Sequence, residues 1–160
     1  PPSRPDVSVF SGSAISLTLV GQTVDRMRVL VLVGNLNEAA KRRIAYAGAM
    51  GGARAEALHV PVDDNTAAAL RGQWRDEKVP LRLTIVAPSG HEIAVPVLDY
   101  VRDLRRTSPE ELIAVLVPQF HGWWANLVHG WRTRRLAIRL ARLDGVAIVL
   151  VPSQPEEDAE

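Results

Sequence analysis

Five short runs rich in valine and leucine, separated by four longer stretches with helical spacing, constrain this chain more than any other feature. MRVLVLV, Met27–Val33, has the near-continuous apolar character of a strand buried on both faces, as parallel sheets require. A second strand is expected near Ala55–Val60, stopped by Pro61, and a third in LRLTIVAP, Leu81–Pro88. There the alternation of Leu81, Leu83 and Ile85 suits one better-covered face and an edge position. ELIAVLVP, Glu111–Pro118, and GVAIVLVP, Gly145–Pro152, supply the fourth and fifth. Strands alternating with helices in this way call for right-handed crossovers and helices on both faces. The expected fold is a doubly wound α/β domain around a mainly parallel five-stranded sheet, in the order 3-2-1-4-5 counting these five strands.

The intervening stretches have legible starts. Asn37 can cap a helix over EAAKRRIAYAGAM, whose Ala40, Ile44, Ala47 and Gly48 share a face, with Lys41, Arg42 and Arg43 expected to lie largely away from it. Asp63 to Thr66 provide capping side chains for a second helix, weakened by Gly72. A third is expected within SGHEIAVPVLDYVRDLRR, with Ile93, Val97, Tyr100 or Val101, and Leu104 at helical spacing and Pro96 tolerated only near its first turns. The fourth runs to about Leu143. Residues 1–26 fit less well, and one or two additional strands and a linker are equal readings of VSVFSGSAISLTLVGQTV. Residues 27–152 are expected to form the domain, and the acidic SQPEEDAE of residues 153–160 a solvated, disordered tail.

Length and composition suit one domain: 160 residues, 47% of them hydrophobic, supply a core of ordinary size. The 19 basic and 18 acidic residues nearly cancel, so no nucleic-acid partner is expected and charge must be read by position. The absence of cysteine excludes disulfide scaffolds, thiol catalysis and cysteine-ligated zinc. The apolar runs fall far short of the roughly 20 residues of a membrane span. PPSRPD opens the chain without an initiator methionine or a basic-then-apolar leader, and a piece of a longer polypeptide is expected.

In an open α/β sheet a ligand sits beyond the carboxyl ends of the strands, where the order reverses. That rule selects the loops after the first and fourth strands, GNLN (Gly34–Asn37) and PQFHGWW (Pro118–Trp124). Gly34 and Asn35 allow close backbone approach, and the start of the first helix presents amide N–H groups to an anion. An ordinary turn with Asn37 as its cap explains the same residues. The second loop is richer: Phe120, Trp123 and Trp124 offer stacking faces, and His121, His129, Arg132, Arg134 and Arg135 offer donors to phosphate. Trp124, Leu127, Val128 and Trp131 recur at i, i+3, i+4 and i+7, the buried stripe of a helix, whereas Phe120, His121 and Trp123 stay open to either role. Arg132, Arg135, Arg139 and Arg142 share a face suited to solvent, lipid headgroups or a nucleotide phosphate.

Catalytic constellations are thin. SGHE, Ser89–Glu92, lacks a strained elbow and an acid partner, Asp63 and Asp64 fit caps better than cation ligands, and the histidines are scattered. No enzyme and no metal site are expected.

VLVGNLNEAAKRRIAYAGAMGGARAEALHV resembles the opening βαβ unit of the universal stress protein superfamily. The glycine-rich ATP signature of that family is absent between Val117 and Leu150. A closer resemblance, over about Met27 to Pro152, is to the cytosolic C-terminal domain of amino-acid and potassium permeases of the APC superfamily. It rests on VLVGNLNEA, VPVLDYVRDLRRTSPEELIAVLVPQFH, GWW followed by LVH, and RLARLDGVAIVLVP, in that order. The resemblance implies a stress-protein-like fold on the cytoplasmic side of the membrane, following the last membrane helix of a parent transporter, and a homodimer. In potassium importers of this type it implies a sensor for the second messenger cyclic di-AMP, which shuts transport.

The expected site combines Asn35, Asn37, Gln119, Phe120, His121, Trp123, Arg132 and Arg135, with ATP binding more weakly than cyclic di-AMP because its triphosphate lacks a glycine-rich cradle. The alternatives are a ligand-free dimerisation module and a stand-alone stress-protein-like ATP-binding protein. The apolar fifth strand supports the homodimer, because an unpaired edge there is an adhesive template.

Overall fold

Val29, Leu30 and Val31 are completely buried, which requires cover on both sides of the strand that holds them. The computed structural model describes residues 17–19, 22–24, 26–90, 93–119 and 130–152. In chain order these form β1 (Leu17–Leu19), β2 (Gln22–Val24), β3 (Arg26–Leu32), α1 (Glu38–Gly51), a 3-10 turn (Gly52–Arg54), β4 (Ala55–His59), α2 (Asp64–Asp76), β5 (Arg82–Ile85), α3 (Ala94–Thr107), β6 (Glu111–Gln119), α4 (Gly130–Ala141) and β7 (Val146–Pro152). β1 and β2 pair antiparallel, with Leu17 opposite Val24. The other strands form one all-parallel sheet in the order β5-β4-β3-β6-β7, the doubly wound 3-2-1-4-5 arrangement.

The period-2 alternation of strand side chains divides the core into two layers. On one face Val29, Val31 and Val33 pack with Ala40, Ile44 and Ala47 of α1 and Leu70 and Trp74 of α2. On the other, Leu30, Leu58, Ile113, Val115 and Val117 pack with Val97, Leu98 and Val101 of α3 and Leu136 and Leu140 of α4. Trp74 reconciles its polar edge with burial by donating from Nε1 to the Leu81 carbonyl at 2.8 Å. α1 ends tightly over β3, where a Cβ on Gly51 would approach Val29 Cγ2 to 2.8 Å, so this glycine sets the closeness of helix and sheet.

Two local expectations need correction. Arg43 does not lie in solvent with its charged neighbours: it is buried, because it sits three residues after Ala40 and four before Ala47 and so shares their face. Ile93 precedes α3 instead of packing from within it and is 41% exposed, since the helix begins only at Ala94. Pro96 is its third residue, in the first turn, where a missing N–H forfeits no intrahelical bond. β5 and β7 occupy the two edges of the sheet, and β7 leaves Leu150 54% exposed. The expected tail, residues 153–160, lies outside the described residues.

Candidate functional site

β3 is the strand at which the winding reverses, with β4 on one side and β6 on the other. The chain leaves β3 for α1 on one face and leaves β6 toward α4 on the opposite face. Their carboxyl ends therefore diverge into a crevice. Val31 stands opposite Leu116, so three residues further on Gly34 comes level with Gln119. The Gly34–Asn37 loop therefore starts level with the end of β6, while residues 120–124 of the second loop lie outside the described residues.

Within it, Gly34 and Asn35 are exposed, and a Cβ on Gly34 would meet nothing within 4 Å. The Asn37 side-chain oxygen accepts the Ala40 N–H at 2.8 Å, which caps α1, and the residue is exposed. Gln119 is the last residue of β6, its backbone paired with Pro152, but its side chain lies outside the described residues. Phe120, His121 and Trp123 lie outside them entirely. Arg132 falls on the first turn of α4 with its side chain likewise outside, and Arg135 is exposed on the same helix. Arg139 and Arg142 are also exposed, while Leu136 and Leu140 fill the core side of α4. Of the SGHE motif, His91 and Glu92 lie outside the described residues. Asp63 Oδ1 accepts from Thr66 N at 2.7 Å and Thr66 Oγ1 at 2.6 Å. These bonds hold its carboxyl below the usual range and commit it to capping α2.

Two buried residues at this end of the fold escaped the sequence reading. His59, only 2% exposed, ends β4 with Nδ1 2.7 Å from the Val33 carbonyl oxygen. A carbonyl can only accept, so Nδ1 carries a proton and donates it there. Nε2 is buried without a partner. The Val33 N–H in turn donates to the Leu58 carbonyl at 3.0 Å, so β4 fixes the base of the Gly34–Asn37 loop from both sides. Arg43 is the second residue, with its Nε buried and unpartnered and its pKa lowered by burial alone. Helical spacing would have revealed Arg43. His59 carried no such signal in the sequence, and its burial is read only from the structure, where every residue of AEALH is buried.

The amino ends of the strands are organised differently. Glu111 receives Arg28 Nε at 2.9 Å and also Arg54 Nη1. Glu56 accepts from Tyr100 at 2.7 Å and Thr84 at 3.3 Å. Burial, and then the bond to Glu56, push the Tyr100 phenol up to about 12. Arg105 donates to the Pro109 carbonyl at 2.9 Å and to the Glu111 carbonyl. A Cβ on Gly145, whose φ is +72°, would collide with that guanidinium.

Among the described residues no helix is long and apolar enough to cross a membrane, and no group of three or more His, Asp or Glu could hold a metal ion. No curated protein matches the sequence significantly. The family model for the KimA potassium transporter C-terminal domain matches residues 24–153, the whole five-stranded sheet with its four helices. It bears out the transporter C-terminal domain read from the sequence. The chain belongs to the family of KimA potassium transporter C-terminal domains.

Proposed function

We propose that this chain is a non-enzymatic regulatory domain on the cytoplasmic side of an APC-type potassium permease, and that it acts as a homodimer binding a nucleotide second messenger such as cyclic di-AMP. The family match carries the reading, because a transporter domain whose described helices are none of them long and apolar enough to cross a membrane acts on transport from outside the membrane path. The crevice between Gly34–Asn37 and the end of β6 supports a small-ligand site, being the switch point of an open α/β sheet. β7 supports self-association, since no described strand pairs with its outer edge and Leu150 is exposed.

In this reading Asn35, Asn37 and Gln119 hold polar edges of the ligand, Phe120, His121 or Trp123 stacks on a purine, and Arg132 or Arg135 neutralises phosphate. A ligand with two bases and two phosphates suits a site shared by two protomers. ATP binds more weakly, its triphosphate having no glycine-rich cradle. Calorimetry with cyclic di-AMP, ATP and AMP on the wild type and on Trp123→Ala tests the ligand. Cyclic di-AMP is expected to bind most tightly and to lose affinity in the variant, while silence from all three leaves a ligand-free dimerisation module. Sedimentation tests the dimer, and a monomer at tens of micromolar, roughly the range at which a modest interface should assemble, counts against it.

A further inference from the structure

Arg43 is the sixth residue of α1 and is 7% exposed. None of the ion pairs or hydrogen bonds among the described residues includes it, and its Nε is enclosed with no acceptor. A guanidinium does not relieve burial by losing its proton, so the site holds a positive charge that no carboxylate among the described residues pairs, with Nε fully enclosed and the two outer nitrogens not. Among the described residues the buried carboxylates, Glu56 and Glu111, are both bonded.

The direction of Arg43 follows from its neighbours on α1. Lys41 reaches Glu77 at 2.8 Å, and a Cβ on Gly48 would lie 3.5 Å from Leu81, so that flank faces β5 and the end of α2. At 3.6 residues per turn Arg43 lies roughly 200° around the helix from Lys41. It therefore belongs to the flank over the β6 half of the sheet. Helical side chains tilt toward the helix N-terminus. The N-terminus of α1 is the Gly34–Asn37 side of the crevice, and the end of β6 is the other side.

We propose that Arg43 is the phosphate anchor of this crevice, holding a phosphate monoester or phosphodiester between the start of α1 and the carboxyl end of β6. The inference deepens the nucleotide reading above and rests on it for the class of ligand. The fork of N–H donors on a guanidinium matches two phosphate oxygens, and the N-terminal end of α1 adds positive potential from the same side. Only Nε is fully enclosed without a partner, so an arriving anion meets the two outer nitrogens. An anion there also pairs a charge that no carboxylate among the described residues pairs.

The test is thermal melting and calorimetry of the 160-residue chain and of Arg43→Lys and Arg43→Met, titrated with inorganic phosphate, AMP, cyclic di-AMP and, as a phosphate-free control, adenosine. Phosphate-bearing probes are expected to raise the wild-type melting temperature in proportion to the logarithm of their concentration. Arg43→Met should weaken them at least about tenfold, with Arg43→Lys intermediate because an ammonium cannot pair two oxygens. Equal binding of cyclic di-AMP to the wild type and Arg43→Met overturns the role of Arg43 and leaves the nucleotide reading standing. An Arg43-dependent response to inorganic phosphate and AMP, with none to cyclic di-AMP, upholds the anchor and removes the cyclic dinucleotide. No response of the wild type to any phosphate-bearing probe overturns the anchor outright. If Arg43→Met does not fold, Arg43→Lys alone decides between these outcomes.

Discussion

The two ends of the sheet treat buried polar groups in opposite ways. At the amino ends, on the α3 and α4 face, Glu111 is held by Arg28 and Arg54, and Glu56 by Tyr100 and Thr84. Toward the carboxyl ends, on the α1 and α2 face, Arg43 and His59 each keep a buried nitrogen with no partner. A satisfied buried group adds to stability and an unsatisfied one subtracts from it, so the first end consolidates the fold and the second carries a cost that the proposed ligand would relieve. Doubly wound sheets bind their ligands at the carboxyl end, which is where the cost is located here.

The largest expected effect comes from removing the centre of the paired end. Glu111→Ala leaves Arg28 and Arg54 without their shared acceptor, and because both arginines keep some access to water the expected loss is about 2–3 kcal/mol instead of the larger cost of a fully enclosed pair. Denaturant unfolding measures it. A loss well under 1 kcal/mol would mean that the amino-end network is incidental and that the two ends do not differ in kind.

Tyr100→Phe is a milder cut at the same end, about 1 kcal/mol, since Glu56 retains Thr84. It also carries a pH signature. The folded phenol titrates at about 12 against an ordinary value of about 10 in the unfolded chain, so folding favours the protonated form. The stability this contributes is fully present below pH 10 and is lost as the pH rises toward 12. Phenolate absorbance should therefore show a late-titrating tyrosine in the wild type that disappears in the variant, and a Tyr100 ionising near 10 would deny the buried Glu56 contact.

The fold was legible because its signals are local and repeated. The Val and Leu run of β3, the caps at Asn37 and Asp63, and the edge character of β5 each follow from a few neighbouring residues. The switch point followed from topology alone, with no motif to mark it. The contrast between the two ends was not legible, because Glu111 meets Arg28 across 83 positions and Glu56 meets Tyr100 across 44. Arg43 was misread for a different reason: three consecutive basic residues look like a solvated face, and only their phase against Ala40 and Ala47 separates the third from the other two. The start of α3 was set too early because the left-handed backbone of Gly90, at φ +63°, was not anticipated within SGHE, and the helix runs from Ala94.

The last expected change is no larger than that of Tyr100→Phe, and it is the sharpest test of the contrast because its sign is reversed. Arg43→Met replaces an unpartnered buried guanidinium with an unbranched apolar side chain that can fill the same space beside Ala40 and Ala47. In the absence of ligand the variant is expected to be more stable than the wild type by about 1 kcal/mol, where removing a charge at the paired end is destabilising. The gain should shrink as phosphate-bearing ligand is added, since the wild type then recovers what the empty crevice costs it and the variant does not. Melting curves with and without ligand measure both halves. A destabilised Arg43→Met would show that the arginine has a structural partner, and the distinction between a consolidated end and a ligand-ready end would then fail at its most exposed point.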